Sequence, residues 1–73
     1  MAHRQSPAAR LRKVREGLNL SQSAMAALLG VTRVTLSCWE RGRSLPSLEK
    51  AVLLEKRTGI PPSAWRTEGR AGA

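Results

Sequence analysis

The 73 residues carry 13 Lys and Arg against 5 acidic residues, all Glu, for a net charge of +8. A chain this short holds one small domain and buries only roughly 60% of the surface its unfolded form exposes, so a thin core without large pockets is expected. The longest apolar run, Ala24 to Leu29, falls far short of the roughly 20 residues of a membrane span. The basic opening from Met1 to Arg15 has no apolar secretory core, and lone Cys38 with His3 supplies neither a disulfide nor a structural zinc site. A cytoplasmic protein without membrane, metal or cofactor is therefore expected.

Gly17, Gly30, Pro46, Gly59 and the Pro61-Pro62 pair cut the chain into pieces of helical length with almost no strand signal. That pattern predicts a compact all-α domain of four to five helices. Residues 1–6 read as a flexible basic arm carrying Arg4. Ser6 before Pro7 is an N-cap with Pro at the first helical position, predicting a helix over 7–16 closed by Gly17 in a left-handed cap. At about 100° per residue, Leu11, Val14 and Leu18 fall within roughly 60° of arc and point inward, whereas Arg12, Lys13 and Glu16 point away. Ser21 caps a second helix over 22–29, closed by Gly30. Thr32 caps a third that runs to about Arg41 and stops at Gly42.

Ser47, after Pro46, caps a fourth helix reaching about Thr58. With Leu48 set at 0°, Ala51 and Val52 fall at about 300° and about 40° and form the expected inward stripe. Glu55 falls inside that stripe at about 340°, and Leu53 projects away at about 140°. The Pro pair starts a short fifth helix around 62–66 that carries Trp65, so the folded domain spans 7–66 and residues 67–73 read as a disordered tail.

Two short helices joined by a tight Gly turn form a helix-turn-helix, in which the first helix braces on the phosphates and the second enters the major groove. Around the third helix, Arg33, Ser37, Arg41, Val34 and Cys38 fall within about 140° of arc and share one face. Thr32, Thr35, Leu36 and Trp39 lie opposite and, with Val31, form the side that packs on the second helix. Small Ala26 lets the two axes approach. Ten of the 13 cations are Arg, whose planar fork grips a phosphate or a guanine edge with two parallel hydrogen bonds. A polyanion is the natural partner of such a surface.

The run from Leu20 to Gly42, with its Ser21-Gln22 opening, Ala26, Gly30 and the Trp39-Glu40-Arg41-Gly42 close, resembles the phage repressor and Cro family of helix-turn-helix domains, also called the XRE family. With the flanking helices the resemblance covers about residues 8–65. It implies a five-helix, lambda-repressor-like domain that binds operator DNA, commonly as a two-fold dimer on a pseudo-palindrome. It also implies that Gln22 holds a phosphate, that Arg33, Val34, Ser37 and Cys38 face base edges, and that Arg15 pairs with Glu40. Cys38 stands where many relatives place a longer polar reader such as Gln or Arg, and Val34 is apolar, so direct hydrogen-bond readout is expected to rest on Arg33 with help from Ser37.

For Arg33 the chemistry is a fork on guanine O6 and N7, a phosphate clamp or a solvated charge, for Val34 contact with a thymine methyl or partial burial, and for Ser37 a base or phosphate contact, direct or through water. Ser21 and Thr32, at the amino ends of their helices, join Gln22 as expected phosphate contacts. Arg41 and Arg43, in the loop after the reading helix, and Arg10 on the first helix are further phosphate candidates. Leu45, Leu53 and Trp65 are a possible dimer interface. The leading expectation is a sequence-specific double-stranded-DNA regulator, a Cro-like repressor. The alternative is an antitoxin or phage-encoded adaptor whose main ligand is another protein, since the same fold serves both. An enzyme is not expected, because the chain has no Asp and a single His near its start.

Overall fold

The structure, a computed structural model, describes residues 6–65. Four helices follow in order: α1 Pro7–Gly17, α2 Gln22–Leu29, α3 Arg33–Glu40 and α4 Leu48–Thr58. A single helical turn over 62–65, α5, completes a compact all-α domain of five helices with the lambda-repressor-like arrangement. The expected arm and tail lie, but for Ser6, outside the described residues.

Each longer helix begins at a hydroxyl. Ser6, Ser21, Thr32 and Ser47 sit in extended backbone, and their side-chain oxygens accept from the N–H groups of Ala9, Ala24, Thr35 and Lys50 at 3.0–3.2 Å. Each satisfies an N–H that the helix itself leaves unpaired. Pro7 fills the first position of α1, where its missing N–H is no loss.

The turn between α2 and α3 depends on Gly30, whose φ of 72° is one that side chains resist. Its N–H bonds to Ala27 O at 3.2 Å, and the Val31 N–H bonds to Ala26 O at 3.0 Å. These two hydrogen bonds close α2 and turn the chain directly into the cap of α3.

α1 ends differently from the sequence expectation. It continues through Gly17, and the left-handed residue is Asn19, at φ 59°. Asn tolerates this conformation because its short polar side chain bonds locally, so Gly17 is not needed there. Leu18, expected inward, is consequently 56% exposed, and Leu20 packs against the core instead.

The core joins Leu11 from α1, Met25, Ala26 and Leu29 from α2, Leu36 and Trp39 from α3, Ala51 and Leu54 from α4, and Ile60 and Trp65 beyond. α2 packs on both α3 and α4, and α1 packs on α3. α4 is rotated from its expected orientation by roughly 100°. Ala51 and Leu54 face inward, whereas Leu48 is 74% and Val52 42% exposed. Glu55 therefore lies on the surface rather than in an apolar stripe, and Leu53 is half-buried against the core rather than projecting away. The inward row Ala51, Leu54 and Thr58 has helical spacing, but Thr58 hides its polarity. Its hydroxyl donates to Leu54 O at 2.7 Å and accepts the Ile60 N–H at 3.2 Å.

Candidate nucleic-acid interface

α3 presents two unlike faces. Leu36 and Trp39 are buried, whereas Arg33 and Val34 are exposed and Ser37 and Cys38 half-buried. Arg33, Val34, Ser37 and Cys38 thus share one accessible strip, with Val34 exposed at 61% and Arg41 one turn beyond Ser37. An apolar side chain this exposed at the start of a helix contributes little to folding and stands available to an apolar partner atom. Cys38 is a free thiol.

At the far end of α3, one carboxylate is shared. Glu40 accepts from Arg15 Nε at 2.7 Å on one oxygen, and from Arg15 Nη2 at 3.2 Å and Gln22 Nε2 at 3.1 Å on the other. Arg15 Nη1 donates to Leu20 O at 2.9 Å. The pair is largely buried, with 13% of the Arg15 and 3% of the Glu40 side chain exposed. The hydrogen bond to Glu40 holds the Arg15 guanidinium above its ordinary pKa. Burial opposes this, and the charges of Glu40 and Glu16 add to it. α1, the start of α2 and the end of α3 are thereby fixed to one another.

Beside this network, Arg12, Arg15, Gln22, Glu40 and Arg41 line a cleft of about 250 Å³. A neighbouring hollow of about 350 Å³ adds Lys13 and Gly42 to Arg12 and Arg41. Glu40 is occupied by Arg15, and Glu16 pairs with Arg12 at 3.1 Å on the surface. Arg33, Arg41 and Arg43 form no ion pair among the described residues. The cleft and the strip consequently keep an excess of positive charge.

The expected phosphate contacts separate into two groups. Gln22 and Arg41 come together in the cleft, with Ser21 beside Gln22 in sequence. Arg10 on α1, half-buried, and Arg43 in the loop after α3, exposed, do not line it. The hydroxyls of Ser21 and Thr32 already accept capping N–H groups, and Thr32 Oγ1 also lies 2.9 Å from Thr35 Oγ1. Of the three residues expected at a dimer surface, only Leu45 is exposed. Trp65 is in the core at 3% exposure and Leu53 is half-buried. In a chain without Phe or Tyr these two side chains help to fill a thin core.

Sequence reasoning missed the Gln22–Glu40 bond and the place of Arg12 in the cleft. The Gln22–Glu40 bond joins residues 18 positions apart, and the cleft brings Arg12 of α1 beside residues of α2 and α3, which no local spacing rule reports. The profile of the family described as Helix-turn-helix matches residues 11–65, which spans α2, the Gly30 turn and α3. The chain belongs to the helix-turn-helix family. No significant match is found among curated proteins or among solved structures. The helix-turn-helix here is a DNA-binding unit, with α3 in the position of the recognition helix and the start of α2 beside it.

Proposed function

We infer that this domain is a sequence-specific regulator of transcription, a Cro-like repressor that reads a double-stranded operator with α3 in the major groove. The observation that carries this reading is the accessible Arg33, Val34, Ser37 and Cys38 strip backed by the buried Leu36 and Trp39 on the opposite face. Arg33 supplies the bidentate fork for a guanine edge and Val34 the apolar contact for a thymine methyl. In this reading Gln22 and Arg41, which line one cleft, grip the backbone and set the register. Occupying the operator excludes other proteins from it, which suffices for repression.

A pseudo-palindromic operator calls for two copies. The exposed Leu45 and Leu48 line a groove of about 350 Å³ together with Pro46, Ala51, Pro62 and Trp65, and Val52 is also exposed on α4. A surface holding both a protruding Leu48 and a recess suits a self-complementary contact. The same groove is where the alternative, an antitoxin or adaptor bound to another protein, would seat its partner.

Selection from random duplexes at two ionic strengths tests the reading. It is expected to yield one symmetric motif bound at about 10⁻⁸–10⁻¹¹ M, with log affinity falling linearly against log salt. No enriched motif, together with one protein captured stoichiometrically and bound in its place, would overturn it in favour of the protein-partner reading.

A further inference from the structure

We propose that Lys50 of α4 is a positioning residue for DNA reading, through the hydrogen bond that its ammonium donates to the last carbonyl of α2. Lys50 Nζ lies 3.2 Å from Leu29 O. It also lies 3.5 Å from the point a Cβ on Gly30 would occupy. The ammonium therefore sits on the corner from which α3 departs. This inference rests on the reading of α3 as the recognition helix.

The corner needs this contact. The Gly30 and Val31 N–H groups satisfy Ala27 O and Ala26 O, which leaves Leu29 O without a partner from the turn itself. The carboxyl end of a helix carries partial negative charge and favours a cation. α2 has no basic residue in its own last turn. Lys50 brings that charge from another helix, and its side chain lies half-buried over the turn.

The bond links α4, a core helix, to the α2–α3 corner by a directional contact in addition to their apolar packing. Base contacts need donors held within about 0.5 Å and 10–20° of their productive geometry. Arg33, at the first position of α3, lies only three residues past Gly30 and inherits any tilt of the corner directly. Lys50 is thus spent inside the protein and contacts no phosphate, unlike the exposed cations of α1 and the α3–α4 loop.

The test compares Lys50→Met and Lys50→Arg with the unaltered domain, using a selected duplex and a scrambled one over a range of salt, with folding followed by circular dichroism. Lys50→Met is expected to lower the ratio of selected to scrambled affinity about tenfold, the scale of one lost base contact. Its salt slope on scrambled DNA should stay unchanged, since no phosphate contact is removed. Lys50→Arg, which keeps charge and donor, should retain the ratio to within about threefold.

A folded Lys50→Met with the full ratio overturns the proposal, as does a salt slope reduced by about one, which marks an ordinary phosphate contact. If Lys50→Met does not fold, Lys50→Gln replaces it with the same expectations. Failure of both to fold makes Lys50 a stability residue and also overturns the proposal. An unaltered domain that binds selected and scrambled duplexes alike refutes the recognition-helix reading itself, and the positioning role with it.

Discussion

Gln22 Nε2 donates to Glu40 Oε1 at 3.1 Å, so the first side chain of α2 rests on the last residue of α3. The carboxylate it touches is also held by both arms of the Arg15 fork. A group expected to serve DNA is therefore part of what holds the fold, and substitutions near it act on both.

Replacing Arg15 by Ala leaves a Glu40 carboxylate that is 3% exposed with Gln22 as its remaining side-chain donor. The expected cost is about 3–5 kcal/mol, read as a fall in Tm of more than about 10 °C. Raising salt should not erase the difference, because the pair is screened less than a surface pair. The Arg15 pKa is raised on folding, so its contribution is complete below the ordinary guanidinium value and is lost only above it. Between pH 5 and about 9 the Arg15 share of stability should accordingly be flat in denaturation experiments.

Arg33→Ala and Gln22→Ala separate reading from gripping. Arg33 is exposed and unpaired among the described residues, so its loss should leave Tm within about 1 °C. It should relax one position of the selected motif, at about 1–3 kcal/mol against the preferred base. Gln22→Ala should weaken all duplexes alike and also lower Tm, since Glu40 loses a donor. Equal effects of the two variants across sequences would contradict these roles.

Asn19 holds a left-handed conformation at φ 59°. Ala there should destabilise by about 1 kcal/mol, whereas Gly should be neutral or slightly stabilising, as measured by the midpoint of urea unfolding.

Leu48 is 74% exposed in the domain, so Leu48→Glu should leave monomer stability within about 0.5 kcal/mol. On a palindromic duplex it should abolish cooperative occupancy while half-site affinity persists. Gel shifts on full and half sites distinguish this from loss of DNA binding itself.

Much of the architecture can be read from the sequence because its determinants are local. Ser6-Pro7, Ser21, Thr32 and Ser47 mark the helix starts, and each is used as a cap. The outward strip of α3 follows from its 3.6-residue period and the bulk of Leu36 and Trp39 opposite. α4 is where this reasoning fails. Leu48 and Val52 outweigh Ala51 and Thr58 in apolarity, yet the inward row includes a Thr whose hydroxyl is satisfied by its own helix. The end of α1 fails for a related reason, since Asn19 can do what Gly17 was expected to do. The cleft at Gln22 and Arg41 depends on helices meeting in space, which periodicity within one helix does not report.

The four hydroxyl caps have one more effect. Asp or Asn caps hold the first turn of a helix as well as Ser or Thr, but an Asp would place a full negative charge on that turn. The sequence contains no Asp, and neither α1, α2 nor α3 has an acidic side chain in its first turn; only α4 does, at Glu49. The caps of the first three helices consequently add no negative charge of their own to these amino ends, so the caps leave the partial positive charge of the first turns uncancelled.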